Sequence, residues 1–202
     1  MTIVWSKIYG LICKNIKEPH EAYRLALRTG QRLEQYEDLI ASCPWSSLAY
    51  ATQIVQGRWP EGEAAIATSA GCSYEHALKI GQRFPAGEAI IATDAGWSCH
   101  YARNVIKGRW PEGEAAIATS AGCSYDYARD IINGRFPAGE AAIATSAGWS
   151  YCYARDVIKC RWPAGEASIA KDPIWRKRYL KSFPDALEYW QLKGWVGWFD
   201  DV

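Results

Sequence analysis

The chain has 202 residues, 49% of them hydrophobic and 22% charged, a composition that can bury a core. Its formal net charge is only +1, so the broad positive field that gives nonspecific affinity for phosphate backbones is missing. The sequence has neither an apolar run of about 18 residues nor the pattern of a signal peptide, so we expect no membrane contact and no secretion.

Residues 1–31 do not follow the pattern of the rest, and we predict that they form an N-terminal cap. Over residues 32–170, near-copies of one unit follow, each opened by an arginine, and most successive arginines are 26 residues apart. Self-similarity at a period of about 20 to 50 residues is typical of a solenoid. We therefore predict an all-α solenoid of short two-helix repeats, and a single domain over 1–202, because a repeat array shares one continuous core. The arginines are Arg32, Arg58, Arg83, Arg109, Arg135 and Arg161.

Each repeat is predicted to hold two helices. Pro111 marks the start of the first, helix A, because proline suits the first helical position. We expect helix A to run to about Ser120, with Gly122 as a left-handed stop. Ser124 is expected to be the N-cap of the second, helix B, which would end at Gly134. Helices this short do not persist alone in water, so they must pack on their neighbours.

A glutamate follows each of the repeated arginines by five residues. If these arginines and glutamates line a groove, they would bind a charged ligand. If instead each glutamate forms an ion pair with an arginine of the same or the adjacent repeat, the pair would satisfy a partly buried charge. We favour the internal pair, because every repeat has it and a ligand site would normally single out one or two repeats. The glutamates are Glu37, Glu63, Glu88, Glu114, Glu140 and Glu166.

An aromatic residue follows the arginine directly in five repeats, and it alternates between tryptophan and phenylalanine. Aromatic rings interleaved with arginine can stack on nucleic-acid bases. Such a series is more often part of the core, and we favour packing. The series is Trp59, Phe84, Trp110, Phe136 and Trp162.

Residues 58–108 and 109–160 are copies of a pair of repeats, and they differ mainly in helix B. Repeat proteins that bind a partner keep a fixed framework and vary a surface stripe, so we predict that helix B carries the recognition surface. Drift on a tolerant solvent-facing side explains the same differences and stays an alternative. The predicted binding residues are Arg103, Arg129, Arg155, Tyr101, Tyr127, Tyr153, Asp126, Asp130 and Asp156.

A second cap is predicted over residues 171–202, where two further helices precede a tryptophan-rich tail. We expect Trp190, Trp195, Trp198 and Phe199 to fold back over the last repeat. An exposed docking or dimerisation tail is the alternative, since large exposed apolar patches usually mark contact sites.

The sequence carries no motif for catalysis, and we expect no enzyme activity, no metal site and no cofactor. None of the three histidines has a carboxylate or cysteine partner at metal-ligand spacing, and no phosphate-binding loop or nucleophile elbow occurs. The seven cysteines form no CxxC pair, so we expect reduced thiols and a cytoplasmic location rather than a disulfide framework.

The string YARDVIKGRWPEGEAAIA, which recurs in variants over residues 32–170, resembles repeats of uncharacterised bacterial and bacteriophage proteins. More distantly, it resembles the armadillo and HEAT class of α-solenoids. The resemblance implies a right-handed stack with an extended surface and a phage or mobile-element setting. It implies no catalytic residues.

We interpret the chain as a noncatalytic module that binds a protein partner through helix B, because tyrosine and arginine are enriched at interface hot spots. By the resemblance, it would be a phage-encoded inhibitor or adaptor that acts on a host protein. The alternative is that the chain binds nucleic acid or a small nucleotide through the six repeated arginines, which we call the arginine ladder, together with the aromatic series. A purely structural, self-assembling array is a third possibility. The sequence leaves the oligomeric state open.

Overall fold

The computed structural model describes residues 16–196, and every regular element in that range is a helix. The all-α fold class is therefore confirmed for this part of the chain. The backbone contacts divide the chain into two compact units, residues 1–91 and residues 92–202. The single domain over 1–202 stays a prediction.

The described part of the first unit, residues 16–91, contains six α-helices, which pack in neighbouring pairs. They are α1 (Pro19–Thr29), α2 (Glu37–Ile40), α3 (Pro44–Tyr50), α4 (Pro60–Ile66), α5 (Ala70–Ile80) and α6 (Pro85–Ile91). A short 3₁₀ turn, Glu34–Tyr36, precedes α2, and α3 continues into a π-helical segment, Ala51–Val55.

The described part of the second unit contains eight α-helices and three π-helical segments. The α-helices are α7 (Ala95–Tyr101), α8 (Pro111–Ile117), α9 (Ala121–Tyr127), α10 (Pro137–Ala144), α11 (Ala147–Tyr153), α12 (Pro163–Lys171), α13 (Pro173–Ser182) and α14 (Ala186–Leu192). The π-helical segments Ala102–Ile106, Ala128–Ile132 and Ala154–Ile158 directly follow α7, α9 and α11.

The boundaries inside one repeat differ from those predicted. Helix A ends at Ile117, and the N-cap of helix B is Ser120, whose hydroxyl accepts a hydrogen bond from the Cys123 amide. Gly122 lies inside helix B rather than stopping helix A. Ser124, predicted as the N-cap, is fully buried, and its hydroxyl donates to the Ile117 carbonyl at 3.0 Å. The repeated serine thus ties the two helices of one repeat together.

The repeats with 26 residues end helix B with a π-helical segment, and the shorter repeat of residues 58–82 does not. A π-helical turn holds one more residue than an α-helical turn, so it accommodates a one-residue insertion without turning the rest of the helix. The residue after each π-helical segment has a left-handed backbone: Gln56, Lys107, Asn133 and Lys159, with φ of 57, 57, 55 and 60°. In the shorter repeat, α5 is a regular α-helix that ends at the left-handed Gly81.

The core of each unit includes a repeated isoleucine and the aromatic series. Each aromatic residue in the series Trp59, Phe84, Trp110, Phe136 and Trp162 is at least 96% buried, so the packing interpretation is confirmed. Glycine makes room for these rings: a Cβ at Gly113 would lie 2.5 Å from Cε3 of Trp110. The buried isoleucines are Ile40, Ile66 and Ile91 in the first unit and Ile117, Ile143 and Ile169 in the second.

The C-terminal helices α13 and α14 cover the last repeat. Trp190 is fully buried and stacks on Tyr179 with ring centroids 5.3 Å apart. Trp195 is half-buried, and its ring lies 6.4 Å from that of Trp190. These two tryptophans fold back as predicted, whereas Trp198 and Phe199 lie outside the described residues.

Candidate functional site

Each repeated arginine forms a two-point ion pair with the glutamate five residues later in its own repeat. In the repeat that begins at Arg109, Nε and Nη2 of the guanidinium donate to the two carboxylate oxygens of Glu114, at 2.5 and 3.1 Å. The hydroxyl of Tyr127 donates to the same carboxylate at 3.0 Å and accepts the backbone N–H of Trp110 at 2.8 Å. We call these four groups the Arg-Glu-Tyr clamp.

The clamp recurs with tyrosine in four of the described repeats. Its members are Arg32, Glu37 and Tyr50 in the first unit, and Arg109, Glu114 and Tyr127, Arg135, Glu140 and Tyr153, and Arg161, Glu166 and Tyr179 in the second. The repeat of residues 58–82 has His76 at the tyrosine position. His76 Nε2 lies 3.4 Å from Oε1 of Glu63, and the ring packs edge-on against Phe84.

The clamp shifts the pKa of its members in the direction expected for internal pairing. Hydrogen bonds from Arg109 lower the pKa of Glu114, against the opposing effect of burial. Burial raises the pKa of Tyr127 to about 12. Burial also lowers the pKa of His76, so its imidazole is neutral at pH 7. Because the glutamates are occupied within their own repeats, the structural interpretation of the Arg-Glu pairs is confirmed.

Three residues of the predicted binding stripe lie in the interior. Tyr101, Tyr127 and Tyr153 are fully buried, and each packs its ring against the aromatic residue that follows the next arginine. Their placement on an exposed stripe was therefore wrong. For Tyr127 and Tyr153 the physical reason is that the hydroxyl donates to the clamp glutamate of the same repeat, so the ring points toward helix A.

The other six predicted residues meet on one surface of the second unit. Nη2 of Arg103 donates to Asp130 at 2.8 Å and lies 4.0 Å from Asp126. Nε and Nη2 of Arg129 donate to the two carboxylate oxygens of Asp130, and the same two nitrogens of Arg155 donate to Asp156. The binding role of these residues stays a prediction.

Tyr125, Tyr151 and two tryptophans connect these ion pairs across repeats, and sequence reasoning missed them. The Tyr125 hydroxyl donates to Asp156 at 2.6 Å, and the guanidinium of Arg129 lies over the Tyr125 ring. Arg155 lies in the same way over Tyr151. The signal available in the sequence was the recurrence of this tyrosine 26 residues later.

The tryptophans extend the same surface. Trp149, 39% exposed, packs against Tyr125, and its indole lies over Gly122, where a Cβ would be 3.3 Å away. Trp175 packs against Tyr151 in the same arrangement, and Arg178 lies over the Trp175 ring. We call the whole set the helix-B stripe. It comprises Arg103, Tyr125, Asp126, Arg129, Asp130, Trp149, Tyr151, Arg155, Asp156, Trp175 and Arg178.

Other chemistry is sparse between residues 16 and 196. No group of three histidine, cysteine or acidic side chains in that range is placed to hold a metal ion. The six described cysteines are free thiols, and burial raises the pKa of Cys99 to about 11, which disfavours its reactive thiolate. None of the described helices is both long enough and apolar enough to cross a bilayer.

Comparison with known proteins gives no relative for this chain. It matches no protein-family model, no curated protein and no solved structure.

Proposed function

We propose that the chain is a right-handed α-solenoid of 26-residue two-helix repeats, related to the bacterial and bacteriophage repeats that its sequence resembles. We further propose that it is a noncatalytic, cytoplasmic module that binds a protein partner through the helix-B stripe. The resemblance suggests a phage-encoded inhibitor or adaptor that acts on a host protein.

The observation that carries the proposal is the fixed geometry of Arg129 and Arg155. Each guanidinium is exposed, lies over a tyrosine ring and is held by an aspartate of the same helix. Holding a side chain in its bound orientation reduces the entropy that binding costs. Arginine, tyrosine and tryptophan are also the residues most enriched at interface hot spots.

The arginine ladder supports the nucleic-acid alternative less well. Five of the six repeated arginines are 48 to 64% exposed, but a glutamate of the same repeat pairs with the charge of each. The sixth, Arg161, is 23% exposed and pairs with both Glu166 and Asp185. Phosphate binding draws on unpaired cations that release counterions, and the pairing leaves few of them.

Affinity capture from a lysate of the native host, with and without nuclease, tests the proposal. The double variant Arg129→Ala/Arg155→Ala is expected to lose at least about tenfold in affinity for the captured protein. Arg24→Ala/Arg28→Ala, which removes the same charge from exposed positions of α1, serves as the control and should bind normally. Arg129→Lys/Arg155→Lys keeps the charge but loses the two-point contacts, so it should rescue binding only in part.

Equal binding by the stripe variant and the control would contradict the proposed surface. Loss of the captured material with nuclease would instead favour nucleic acid and make the arginine ladder the region to mutate. Circular dichroism of each variant separates loss of binding from loss of folding.

A further inference from the structure

A cleft of about 390 Å³ lies in the first unit, between helix B of one repeat and helix B of the next. It is bordered by the π-helical segment after α3 on one side and by the C-terminal half of α5 on the other. Its polar lining consists of Thr52, Gln56, Arg58, His76, Lys79 and Gln82. The volume falls in the range of small-molecule sites, about 300 to 1,000 Å³.

The repeat pattern is interrupted at this cleft in three ways. His76 replaces the clamp tyrosine, and Lys79 stands where later repeats have an aspartate, Asp130 and Asp156. The repeat also lacks the π-helical segment, so α5 ends one residue early, at Ile80. Differences that serve only packing would be scattered, whereas a ligand site singles out one repeat.

The cleft is suited to an anion. Two basic side chains line it, Arg58 and Lys79, and no acid does. Because Glu63 pairs with the charge of Arg58, Lys79 supplies the positive charge of the cleft and Arg58 adds hydrogen-bond donors. Arg58 uses Nε and Nη2 for Glu63, which leaves its Nη1 edge for a ligand. Within residues 16–196, no ion pair engages Lys79.

The amide and imidazole groups supply neutral hydrogen bonds. Gln56 and Gln82 are exposed at the rim, and His76 is 99% buried in the wall. Because His76 is neutral at pH 7, it adds a hydrogen-bonding nitrogen and no charge.

We propose that this cleft binds the phosphate group of a small molecule, through the Lys79 ammonium and the free edge of Arg58. Guanidinium and ammonium groups are the usual protein partners of phosphate oxygens. This inference is independent of the helix-B stripe, which belongs to the second unit.

A second, smaller cleft of about 290 Å³ adjoins the first and shares Thr52 and Lys79 with it. Trp45 lines this second cleft and is 61% exposed, so it offers an aromatic face on which a ring can stack. Glu75 also lines this second cleft but does not line the first. A nucleoside monophosphate would therefore place its phosphate at Lys79 and its base at Trp45, whereas free phosphate would use the first cleft alone.

Titration of the full ¹⁵N-labelled chain with inorganic phosphate and with adenosine monophosphate, at pH 7 and constant ionic strength, tests the proposal by NMR. We expect saturable shifts of backbone amides in the range 51–82, with a dissociation constant for phosphate on the order of 1 mM. Lys79→Asp, which introduces the residue of the later repeats, should weaken binding at least about tenfold. Lys177→Asp makes the same charge change at an exposed position of α13 and should leave binding unchanged.

His76→Tyr provides a variant that should fold well, because it restores the clamp residue of the other repeats. The larger tyrosine side chain would occupy part of the cleft, so the amide shifts caused by phosphate should disappear. The melting temperature should stay close to that of the parent. Absence of saturable shifts in 51–82 up to about 20 mM phosphate would overturn the site, as would equal affinity in Lys79→Asp.

The titration with adenosine monophosphate distinguishes a nucleotide site from a site for free phosphate. Tighter binding of adenosine monophosphate than of inorganic phosphate, with the excess lost in Trp45→Ala, supports a nucleotide. Equal affinity for both supports a site for free phosphate.

Discussion

The indole N–H of Trp190 donates a hydrogen bond to Oε2 of Glu166 over 2.8 Å, and both side chains are fully buried. Arg161 and Tyr179 supply the remaining donors to this carboxylate. Burial raises the pKa of Glu166, but the combined hydrogen bonds hold it below its usual value. The last clamp of the second unit is therefore closed by α14.

We predict that Trp190→Phe destabilises the protein by about 1 to 3 kcal/mol, because it removes one of the two hydrogen bonds that Oε2 of the buried Glu166 carboxylate accepts and leaves only that from Nη2 of Arg161. Urea unfolding followed by circular dichroism measures the change. Trp195→Phe alters a half-buried tryptophan of the same tail and should cost less. An equal loss for the two variants would show that the hydrogen bond to Glu166 has no special weight.

Acid should unfold the protein through its clamp glutamates. The pKa of Glu114 lies below its ordinary value of 4.5, chiefly because Arg109 hydrogen-bonds to it. A carboxylate with a lowered folded-state pKa contributes stability that is present above its unfolded pKa and is lost as the pH falls through the folded value. The pKa is lowered likewise for Glu37, Glu63, Glu140 and Glu166.

We therefore predict that the melting temperature falls as the pH drops below 4.5. Glu114→Gln should be less stable than the parent at pH 7, and the difference should shrink on acidification. Glu112→Gln changes an exposed residue of the same helix, and its melting temperature should depend on pH in the same way as that of the parent. Thermal melts between about pH 3 and pH 7 check this, and a constant gap for Glu114→Gln would argue against the clamp as the acid-sensitive element.

Gly113→Ala should destabilise the second unit by about 1 to 3 kcal/mol through overpacking. The new methyl group would overlap the Trp110 ring at 2.5 Å and would lie 3.0 Å from Cβ of Ser98. Gly108→Ala is the matched control, because no atom lies within 4 Å of a Cβ placed there. Unfolding free energies in urea compare the two, and similar values would mean that the ring moves aside freely.

Each π-helical segment is explained by one inserted residue in helix B, and removing one residue tests this explanation. Replacing residues 128–134, ARDIING, with the six residues ALKIGQ of positions 77–82 should give a regular α-helix. We expect a folded protein with a melting temperature within about 4 °C of the parent. Deleting Ala116 from α8 is the control and should unfold the repeat, since Ile117 would rotate out of the core. A parent-like structure for both deletions would contradict the account.

The repeat pattern was sufficient to predict the helical class and the internal pairing of arginine with glutamate. It also predicted the burial of the aromatic series, because a residue type found in every repeat serves what every repeat needs, which is packing. Helix boundaries were less accurate. Ser120 and Ser124 both lie near the expected start of helix B, and serine suits both an N-cap and a buried hydroxyl, so the sequence did not tell the two apart.

The candidate surface was only partly predictable. Tyr125 and Tyr127 lie two positions apart on helix B and are both buried, and composition does not tell which hydroxyl enters the clamp. Their hydroxyl partners decide it: Glu114 in the same repeat for Tyr127, and Asp156 in the following repeat for Tyr125. Contacts between repeats are invisible in a single repeat. The sequence therefore predicted the arginines and aspartates of helix B, whereas the structure added Tyr125, Trp149, Tyr151, Trp175 and Arg178.

The location of the Arg-Glu pair within one repeat bears on how such a chain grows. A recombination event that adds or removes one whole repeat carries both partners with it, so no buried carboxylate loses its cation. The contacts from Arg103 to Asp130 and from Tyr125 to Asp156 have the opposite property, because each joins two different repeats. A change in the number of repeats would keep every Arg-Glu pair. It would alter the contacts between repeats at the point of insertion or deletion, so chains of different lengths would present different helix-B stripes.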